Sequence, residues 1–429
     1  MRVLRRPCAR TSVTSLEEGL LRITCGIDWS ERHHDIALIN ADAAIVSRAR
    51  IGDDLAGFRR LTELLAEHAG PDGPTSIEIA IETDKGLLVA ALVAAGFTLF
   101  AINPRAVARY RERHGQAGGK SDPGDATVLA DILRTDRHRH RPLPADTNLA
   151  RGVKAIARQH QEAIWARQQT VNRLRSLLRE FYPAALAAFP ILTQRAALTV
   201  LGAAPTPQAA ARLTPSRLET LLRRAGRRID SGLPERLSTQ LRQEQLRQPA
   251  EVEQAFGVAT AGLIDVIVAM TGAIDALQEQ LTGLFTRHDQ AQIVTSMPGL
   301  GTVLGARVLG ELGDDRSRFT DIAGLRGFAG TAPITRASGK MKIVSARYIR
   351  NQRLADACHW WAFAAITKSA GARAHYDQRR AAGDTHNGAL RNLANKLLAK
   401  LWHCLHHGVL YDEATAWPTP KEKTQPAAA

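Results

Sequence analysis

Two stretches, LRITCGID (residues 21–28) and FTLFAI (97–102), bound the part of the chain that decides its fold. Between them lie three further runs with the composition of strands: DIALIN (35–40), AAIVSRARI (43–51) and TSIEIAIE (75–82). Apolar residues recur at helical spacing in residues 55–68 and 86–95 instead. Three successive strands followed by alternating helices and strands predict a mixed sheet flanked by helices.

This order of elements is that of the ribonuclease H-like fold, and acidic residues stand at its strand ends. Asp28 ends the first strand and Glu82 ends the buried run IEIAIE, while Asp122 and Asp125 are three residues apart at a predicted helix start. If the four converge, their repulsion calls for divalent metal, which predicts a two-metal site for phosphodiester chemistry. Taken singly, each acid also fits a structural role as a turn residue, an arginine partner, an N-cap or a first-turn residue.

The apolar period changes after residue 148 to the alternating threes and fours of long amphipathic helices. The first seam is Ala157, His160, Ile164, Arg167, Val171, Leu174, Leu178 and Phe181. The second seam is Leu263, Ile267, Met270, Ile274, Leu277, Leu281 and Leu284. Both are heptad patterns, so we predict two long helices that pack as a coiled coil, within one chain or between subunits. The intervening residues 183–250 are predicted to be irregularly helical.

The charge of the chain favours a polyanionic partner. Lys and Arg number 57 against 42 Asp and Glu, which leaves a net charge of +15 among 429 residues. The surplus is concentrated, because residues 134–182 carry +7 and residues 341–400 carry +8, whereas residues 1–133 carry −2. We therefore predict nucleic-acid binding. The alternative is a soluble, arginine-rich protein whose composition reflects a GC-rich genome.

Cysteine content and apolar segments indicate a cytoplasmic protein. Cys8, Cys25, Cys358 and Cys404 are too few and too scattered for a disulfide framework or a zinc site. The N-terminus has no apolar core typical of a secretory signal. The longest uncharged apolar stretches, residues 87–102 and 255–264, are shorter than a membrane span requires. No membrane association is expected.

Several motifs resemble one family. GIDWS (26–30), IETDKG (81–86) and AINPRAVARYRERHGQAGGKSDPGDATVLADIL (101–133) are similar to the DEDD transposases of bacterial insertion sequences, which also include Piv-type DNA invertases and RNA-guided bridge recombinases. The resemblance resumes at residues 296–340 and 375–401. It implies a RuvC-like catalytic domain whose Mg²⁺-binding (or Mn²⁺-binding) tetrad is Asp28, Glu82, Asp122 and Asp125.

The resemblance also implies that Ser338, in APITRASGK (332–340), is a nucleophile that holds the cut strand as a phosphoserine. Without the resemblance, Ser338 and Gly339 fit a turn. Nearby cations are predicted to stabilise the phosphorane, and others to contact nucleic acid. The predicted basic contacts are Arg105, Lys120, Arg336, Lys340, Lys342, Arg347, Arg350 and Arg353.

The predicted organisation has five parts. They are a flexible extension (1–21), a RuvC-like DEDD domain (22–148), coiled-coil helices with a helical insert (149–289), a mostly helical C-terminal transposase domain (290–412) and a disordered tail (413–429). The expected function is that of a transposase that cuts and rejoins DNA as a homo-oligomer, dimer or tetramer, guided by a structured noncoding RNA. The alternatives are a RuvC-like Holliday-junction endonuclease, in which Ser338 is only structural, and a non-catalytic nucleic-acid-binding protein derived from a transposase.

Overall fold

The computed structural model of the chain describes residues 22–114, 122–339 and 341–418. The side chains of His114, Asp122 and Lys342 are outside this description. By its internal contacts the chain divides into two units, Met1–Ala145 and Asp146–Ala429.

The first unit is built on a five-stranded mixed sheet, as the sequence predicted. Its strands are β1 (Thr24–Trp29), β2 (His33–Ile39), β3 (Ile45–Gly52), β4 (Glu78–Ile81) and β5 (Leu99–Ala101), in the order β3-β2-β1-β4-β5. β1, β2 and β3 pair antiparallel, whereas β4 runs parallel to both β1 and β5. Parallel pairing of β1 with β4 brings their carboxyl ends to one edge.

Helices cover both faces of this sheet because its strands β1, β2 and β4 are buried on both sides. On one face, α1 (Leu55–Glu67) and α2 (Leu87–Ala94) pack on the β1 residues Cys25 and Ile27. The other face carries α3 (Pro104–His114) and α4 (Asp122–Asp136), which share a small core with Ala80 and Phe100. The predicted helix start at Asp122 is confirmed.

Helix α4 lies directly on β1 because Gly26 has no side chain. A methyl group added at Gly26 would overlap the carbonyl oxygen of Ala126 and lie 2.6 Å from the nitrogen of Ala130. Two residues earlier, the Thr24 hydroxyl donates a hydrogen bond of 3.1 Å to the Ala130 carbonyl. The alignment of this helix along β1 is therefore fixed.

The second unit contains the two predicted long helices, α5 (Asn148–Phe181) and α11 (Ala250–Thr286). They pack antiparallel. The Arg167 guanidinium donates to the Thr271 hydroxyl at 3.4 Å, and the rings of Phe181 and Phe256 stack 5.2 Å apart. In α11 every seventh residue is buried, namely Glu253, Thr260, Ile267, Ile274 and Leu281. Such a period is typical of extended helix pairs.

The pair connects two hydrophobic cores. At one end it packs against the insert, whose helices are α6 (Pro183–Ala188), α7 (Arg195–Ala203), α8 (Pro207–Ala211), α9 (Pro215–Arg224) and α10 (Leu233–Leu241). At the other end it packs against α12 (Ala291–Ser296), α13 (Thr302–Leu312), α14 (Ile322–Phe328), α15 (Gln352–Ala365), α16 (Ala370–Ala381) and α17 (His386–His407). Between α14 and α15 the chain forms strands β6 (Ile334–Ser338) and β7 (Met341–Ser345).

Two expectations are qualified by the structure. The expectation about membrane spans considered uncharged stretches alone; α11, whose charged residues are widely spaced, is long and apolar enough to cross a membrane by length and composition only. A disordered tail from residue 413 is wrong at its start, since α18 (Glu413–Ala416) is folded. Glu413 accepts hydrogen bonds from the Ser369 hydroxyl and the Gly371 nitrogen, and the Lys400 ammonium lies 4.0 Å from the centre of the Trp417 ring. Residues 419–429 and 1–21 lie outside the described residues.

Candidate functional site

Asp28 and Glu82 lie side by side at one edge of the sheet. Ile27 of β1 is in register with Ile81 of β4, so the next residues along the two parallel strands are Asp28 and Glu82. Adjacent strands are about 4.8 Å apart. Both acids are partly buried. The strand-end argument from the sequence therefore gave the correct neighbours.

Both acids belong to the sheet face that α4 covers. Side chains alternate along a strand, so Asp28 follows Thr24 and Gly26, which both contact α4. On β4, Glu82 continues the alternation of Ala80, which packs in the core formed with α4. The common face makes convergence with the acids of α4 possible.

The alignment of α4 brings its first turn level with Asp28. Thr24 meets Ala130 and Gly26 meets Ala126, so two residues of strand correspond to four residues of helix. These steps match in length, about 6.7 Å of strand and about 6.0 Å of helix. One further step of two residues along the strand, from Gly26 to Asp28, corresponds to four residues along the helix, from Ala126 to residue 122. The start of α4 thus lies beside the strand-end acids.

Asp125 is buried and engaged by an arginine. Only 4% of its surface is exposed, and its carboxylate accepts a hydrogen bond from the Arg111 guanidinium of α3 in an ion pair. The Arg111 Nε atom is buried without a hydrogen-bond partner among the described residues. The sequence analysis required a divalent metal to offset the repulsion among the four carboxylates. Arg111 offsets part of this repulsion at Asp125.

The donor set suits a hard cation, but the described side chains do not close around one. Carboxylate oxygens are the ligands that Mg²⁺ prefers. Within residues 22–114, 122–339 and 341–418, no group of three His, Cys, Asp or Glu side chains is close enough to hold a metal, and the side chain of Asp122 is not among them. Asp28, Glu82 and Asp125 would need the carboxylate of Asp122 to complete such a site.

Sequence reasoning missed one further acid in this row. Asp35 of β2 is paired directly with Asp28 in the antiparallel register, and Arg50 of β3 is paired with Asp35. The Asp35 carboxylate is 5% exposed and accepts two hydrogen bonds from Arg50, of 3.0 and 2.9 Å. A row of Glu82, Asp28, Asp35 and Arg50 therefore crosses four strands. The available signal was the hairpin pairing of the first two strands, which aligns residues 28 and 35.

Ser338 stands at the tip of a two-stranded ribbon formed by β6 and β7. It pairs with Met341, and Gly339 in the turn between them has a φ of 55°. The described residues of both strands from Thr335 onward are exposed. The turn predicted at Ser338 and Gly339 is present at Gly339, with Ser338 as the last residue of β6, and the ribbon is an addition to the mostly helical domain that the sequence predicted. Neither strand has the alternation of buried and exposed residues from which strands are recognised.

The predicted basic contacts have different surroundings. Arg105 and Arg336 are exposed, Arg347 is partly buried, and Arg350 donates to Gln352 at 3.3 Å. Arg353 instead forms an ion pair with Glu162 of α5, so its guanidinium is occupied in the structure. Lys120 and Lys340 lie outside the described residues, as does the side chain of Lys342.

Comparison with known proteins covers both units. Residues 25–183 match the profile of a family described as "Transposase", and residues 291–377 match one described as "Transposase IS116/IS110/IS902 family". The chain is 50% identical over 405 residues to the mini-circle putative transposase for IS117 of Streptomyces coelicolor, an alignment that covers 93% of this chain and 98% of the relative. It is 30% identical to the uncharacterized 42 kDa protein of insertion element IS900 of Mycobacterium paratuberculosis, over 92% of this chain and 98% of the relative.

Proposed function

The chain belongs to the IS116/IS110/IS902 family of insertion-sequence transposases, which are enzymes of DNA cutting and rejoining, and from that premise we propose the roles of its residues. Residues 22–148 form a ribonuclease H-like, RuvC-like catalytic domain that acts on DNA in the cytoplasm. Residues 149–289 form the coiled-coil helices with their insert. Residues 290–412 form the C-terminal transposase domain that carries the nucleophile.

In this proposal Asp28, Glu82, Asp122 and Asp125 hold Mg²⁺ or Mn²⁺. The observation that carries it is the alignment of Asp28 with Glu82 across β1 and β4, on the face where α4 begins. A divalent cation held there would act as a Lewis acid on a phosphodiester oxygen. Arg111 is bonded to one oxygen of the Asp125 carboxylate, Oδ1, so Oδ2 is the oxygen that would coordinate the cation.

Ser338 is the proposed nucleophile. Its hydroxyl oxygen attacks a DNA phosphorus atom, a bond from that oxygen to phosphorus forms, and the phosphorus–oxygen bond to one side of the strand breaks. The hydroxyl proton passes to solvent and the leaving strand takes up a proton as a free hydroxyl. Attack by another strand's hydroxyl then reverses the step and rejoins DNA. The exposed position of Ser338 at the ribbon tip, with Arg336 on the same strand, supports access to a large substrate.

Two nucleic acids are the proposed partners. DNA is the substrate, and a structured noncoding RNA encoded by the same element specifies where DNA is cut. The support is electrostatic, since residues 134–182 carry a surplus of +7 and residues 341–400 a surplus of +8, which gives the chain two separate basic segments for polyanionic partners.

A homo-oligomer, dimer or tetramer, is proposed from a second heptad stripe on α11. Besides its buried seam, this helix has an exposed row of small and apolar residues at alternating spacings of three and four: Val252, Ala255, Ala259, Gly262, Val266, Ala269, Ala273 and Ala276. Small residues let another helix approach closely.

Val266→Lys should reduce the molecular mass of the particle measured by light scattering, because it places a charge in the exposed row. Val268→Lys, an exposed change on another side of α11, should leave that mass unchanged.

The experiment that tests the reaction uses end-labelled DNA from the flanks of the gene, the transcript of the same flanks, Mg²⁺ and the full-length chain. Label attached covalently to the protein is the expected result. Ser338→Ala should abolish the attachment, while the matched change Ser345→Ala, at the base of the same ribbon, should preserve it. Cutting without attachment would replace the proposal with a junction endonuclease. Binding without cutting would support a non-catalytic protein.

The metal assignment has a separate readout in calorimetric titration with Mn²⁺. Asp125→Asn should weaken binding at least about tenfold, because a neutral amide replaces a coordinating carboxylate. Asp131→Asn is the matched control on the same helix, since Asp131 is already bonded to the Tyr110 hydroxyl and the Arg134 guanidinium. Equal titrations for the two variants would contradict the assignment.

A further inference from the structure

The face of the ribbon that carries Ser338 also carries apolar side chains. Directly paired residues of an antiparallel ribbon share a face, and residues two apart along a strand do as well. Ser338 pairs with Met341 and Arg336 pairs with Ile343, so these four residues lie on one face. Val344 pairs with Thr335 on the other face.

These apolar side chains are open to solvent. Met341 is 62% exposed and Ile343 is 49% exposed, and neither contributes to a described core. A two-stranded ribbon without a packed face is only marginally stable in water. Leaving Met341 and Ile343 in water therefore weakens the ribbon in the free protein, unless a partner covers them.

Charge identifies the partner as a polyanion. Residues 322–355, which contain the whole ribbon, include seven Lys and Arg and no Asp or Glu. A protein surface with that composition repels cationic and favours phosphate-rich partners. A two-stranded ribbon is also narrow enough to enter a groove of duplex DNA. Duplex DNA at the position that Ser338 attacks is thus the occupant that fits both charge and shape.

We propose that Met341 and Ile343 form a wedge that inserts between bases of the DNA and unstacks the step beside the phosphate that Ser338 attacks. Isoleucine and methionine are among the side chains that proteins use to open base steps. The inference rests on the proposed function, because it takes the DNA to Ser338. It adds the reason why the serine has apolar rather than only cationic neighbours: a wedge kinks the duplex at the unstacked step and so changes the path of the backbone at the phosphate that Ser338 attacks.

The test compares binding of two DNA probes by fluorescence anisotropy at one fixed salt concentration. One probe is a short duplex of mixed sequence, and the other is the same duplex with two adjacent mismatched pairs at its centre. All proteins are full-length and carry Ser338→Ala, so that no chemistry is involved. The mismatched probe has already lost stacking, so it should bind about tenfold more tightly.

Replacing the wedge should remove this preference. Met341→Ser combined with Ile343→Ser should bind both probes equally, with affinity for the intact duplex within about twofold of the parent, because the cationic contacts remain. Val344→Ser is the matched control, since Val344 is 59% exposed on the opposite face of the same ribbon. It should retain the preference.

Three results would overturn the wedge. They are equal binding of both probes by the parent, retention of the preference by the double variant, and an equal loss in Val344→Ser. A preference seen with mismatched RNA but not with mismatched DNA would overturn the choice of DNA. The nucleophile is judged separately: if the protein with Ser338 intact forms no covalent DNA species but the preference follows Met341 and Ile343, the wedge stands and the serine assignment fails.

Discussion

Removing the carboxylate of Glu311 should destabilise the second unit far more than removing an equivalent surface acid. Glu311 is 4% exposed in α13 and accepts two hydrogen bonds from Arg158 of α5, of 2.7 and 2.8 Å. It accepts a third from the Asn351 side chain at 2.7 Å. Asn351 is the N-cap of α15, the helix that follows the ribbon. One carboxylate thus joins three segments.

The pKa of Glu311 agrees with this environment. Burial raises it, but the hydrogen bonds and charge of Arg158, together with the bond from Asn351, outweigh burial and hold the pKa below its ordinary value. Breaking a buried ion pair by removing one partner costs about 3–5 kcal/mol. Because the Arg158 side chain is 21% exposed and regains some solvation, we expect Glu311→Ala to cost about 3 kcal/mol, at the lower end.

The measurement is urea unfolding followed by tryptophan fluorescence, which reports this unit because five of the six tryptophans lie after residue 145. Glu219→Ala is the matched control. Its ion pair with Arg223 is similarly short, 2.6 Å, but both side chains are exposed, by 41% and 71%. Such a pair contributes about 0.5 kcal/mol or less. Equal losses for the two variants would refute the argument that burial of Glu311 makes the difference.

Three further predictions follow from particular contacts. Gly26→Ala should cost at least about 2 kcal/mol in thermal unfolding followed by circular dichroism, because the methyl group would meet the backbone of α4, whereas Gly272→Ala, in open space on α11, should gain about 0.5–1 kcal/mol. Burial and two neighbouring arginines lower the pKa of His160, so the folded chain binds fewer protons than the unfolded one. Its unfolding free energy should then fall as pH drops below about 6.5, and His160→Gln should reduce that dependence. The logarithm of DNA affinity should fall linearly with the logarithm of salt concentration, and Arg336→Gln should reduce the slope by about one if Arg336 contacts a phosphate; an unchanged slope would remove it from the interface.

The sheet and its acids were predictable because buried strands appear in the sequence as runs of apolar residues. β1, β2 and β4 are buried, so their apolar runs identified them, and strand ends located Asp28 and Glu82. Asp35 was not found because its importance comes from cross-strand register, which depends on where the hairpin between β1 and β2 turns. The ion pair of Asp125 with Arg111 was equally invisible, since it joins two helices whose packing angle no local pattern specifies.

The ribbon was missed for the opposite reason. A strand is recognised when one face is buried, and β6 and β7 have exposed residues on both faces. The start of the tail was misjudged because residues 413–429 are mostly small or polar residues with three prolines, while Trp417 is their one large apolar side chain and contacts Gly371 of α16. A single large side chain can order a short segment without changing its average composition.

The exposure of β6 and β7, which made the ribbon hard to predict, also limits the functions that can explain it. Unpaired strand edges invite aggregation, and proteins usually shorten, cover or charge them. The ribbon has charge, but its cations have no nearby acid in sequence, so they repel one another as well as other chains. Met341 and Ile343 add apolar surface that the core does not use. Folding alone explains neither feature, whereas a partner that offers both phosphates and the apolar faces of bases satisfies the two together. The ribbon is therefore expected to be better ordered on DNA than in the free protein, which places Ser338 firmly only when its substrate is present.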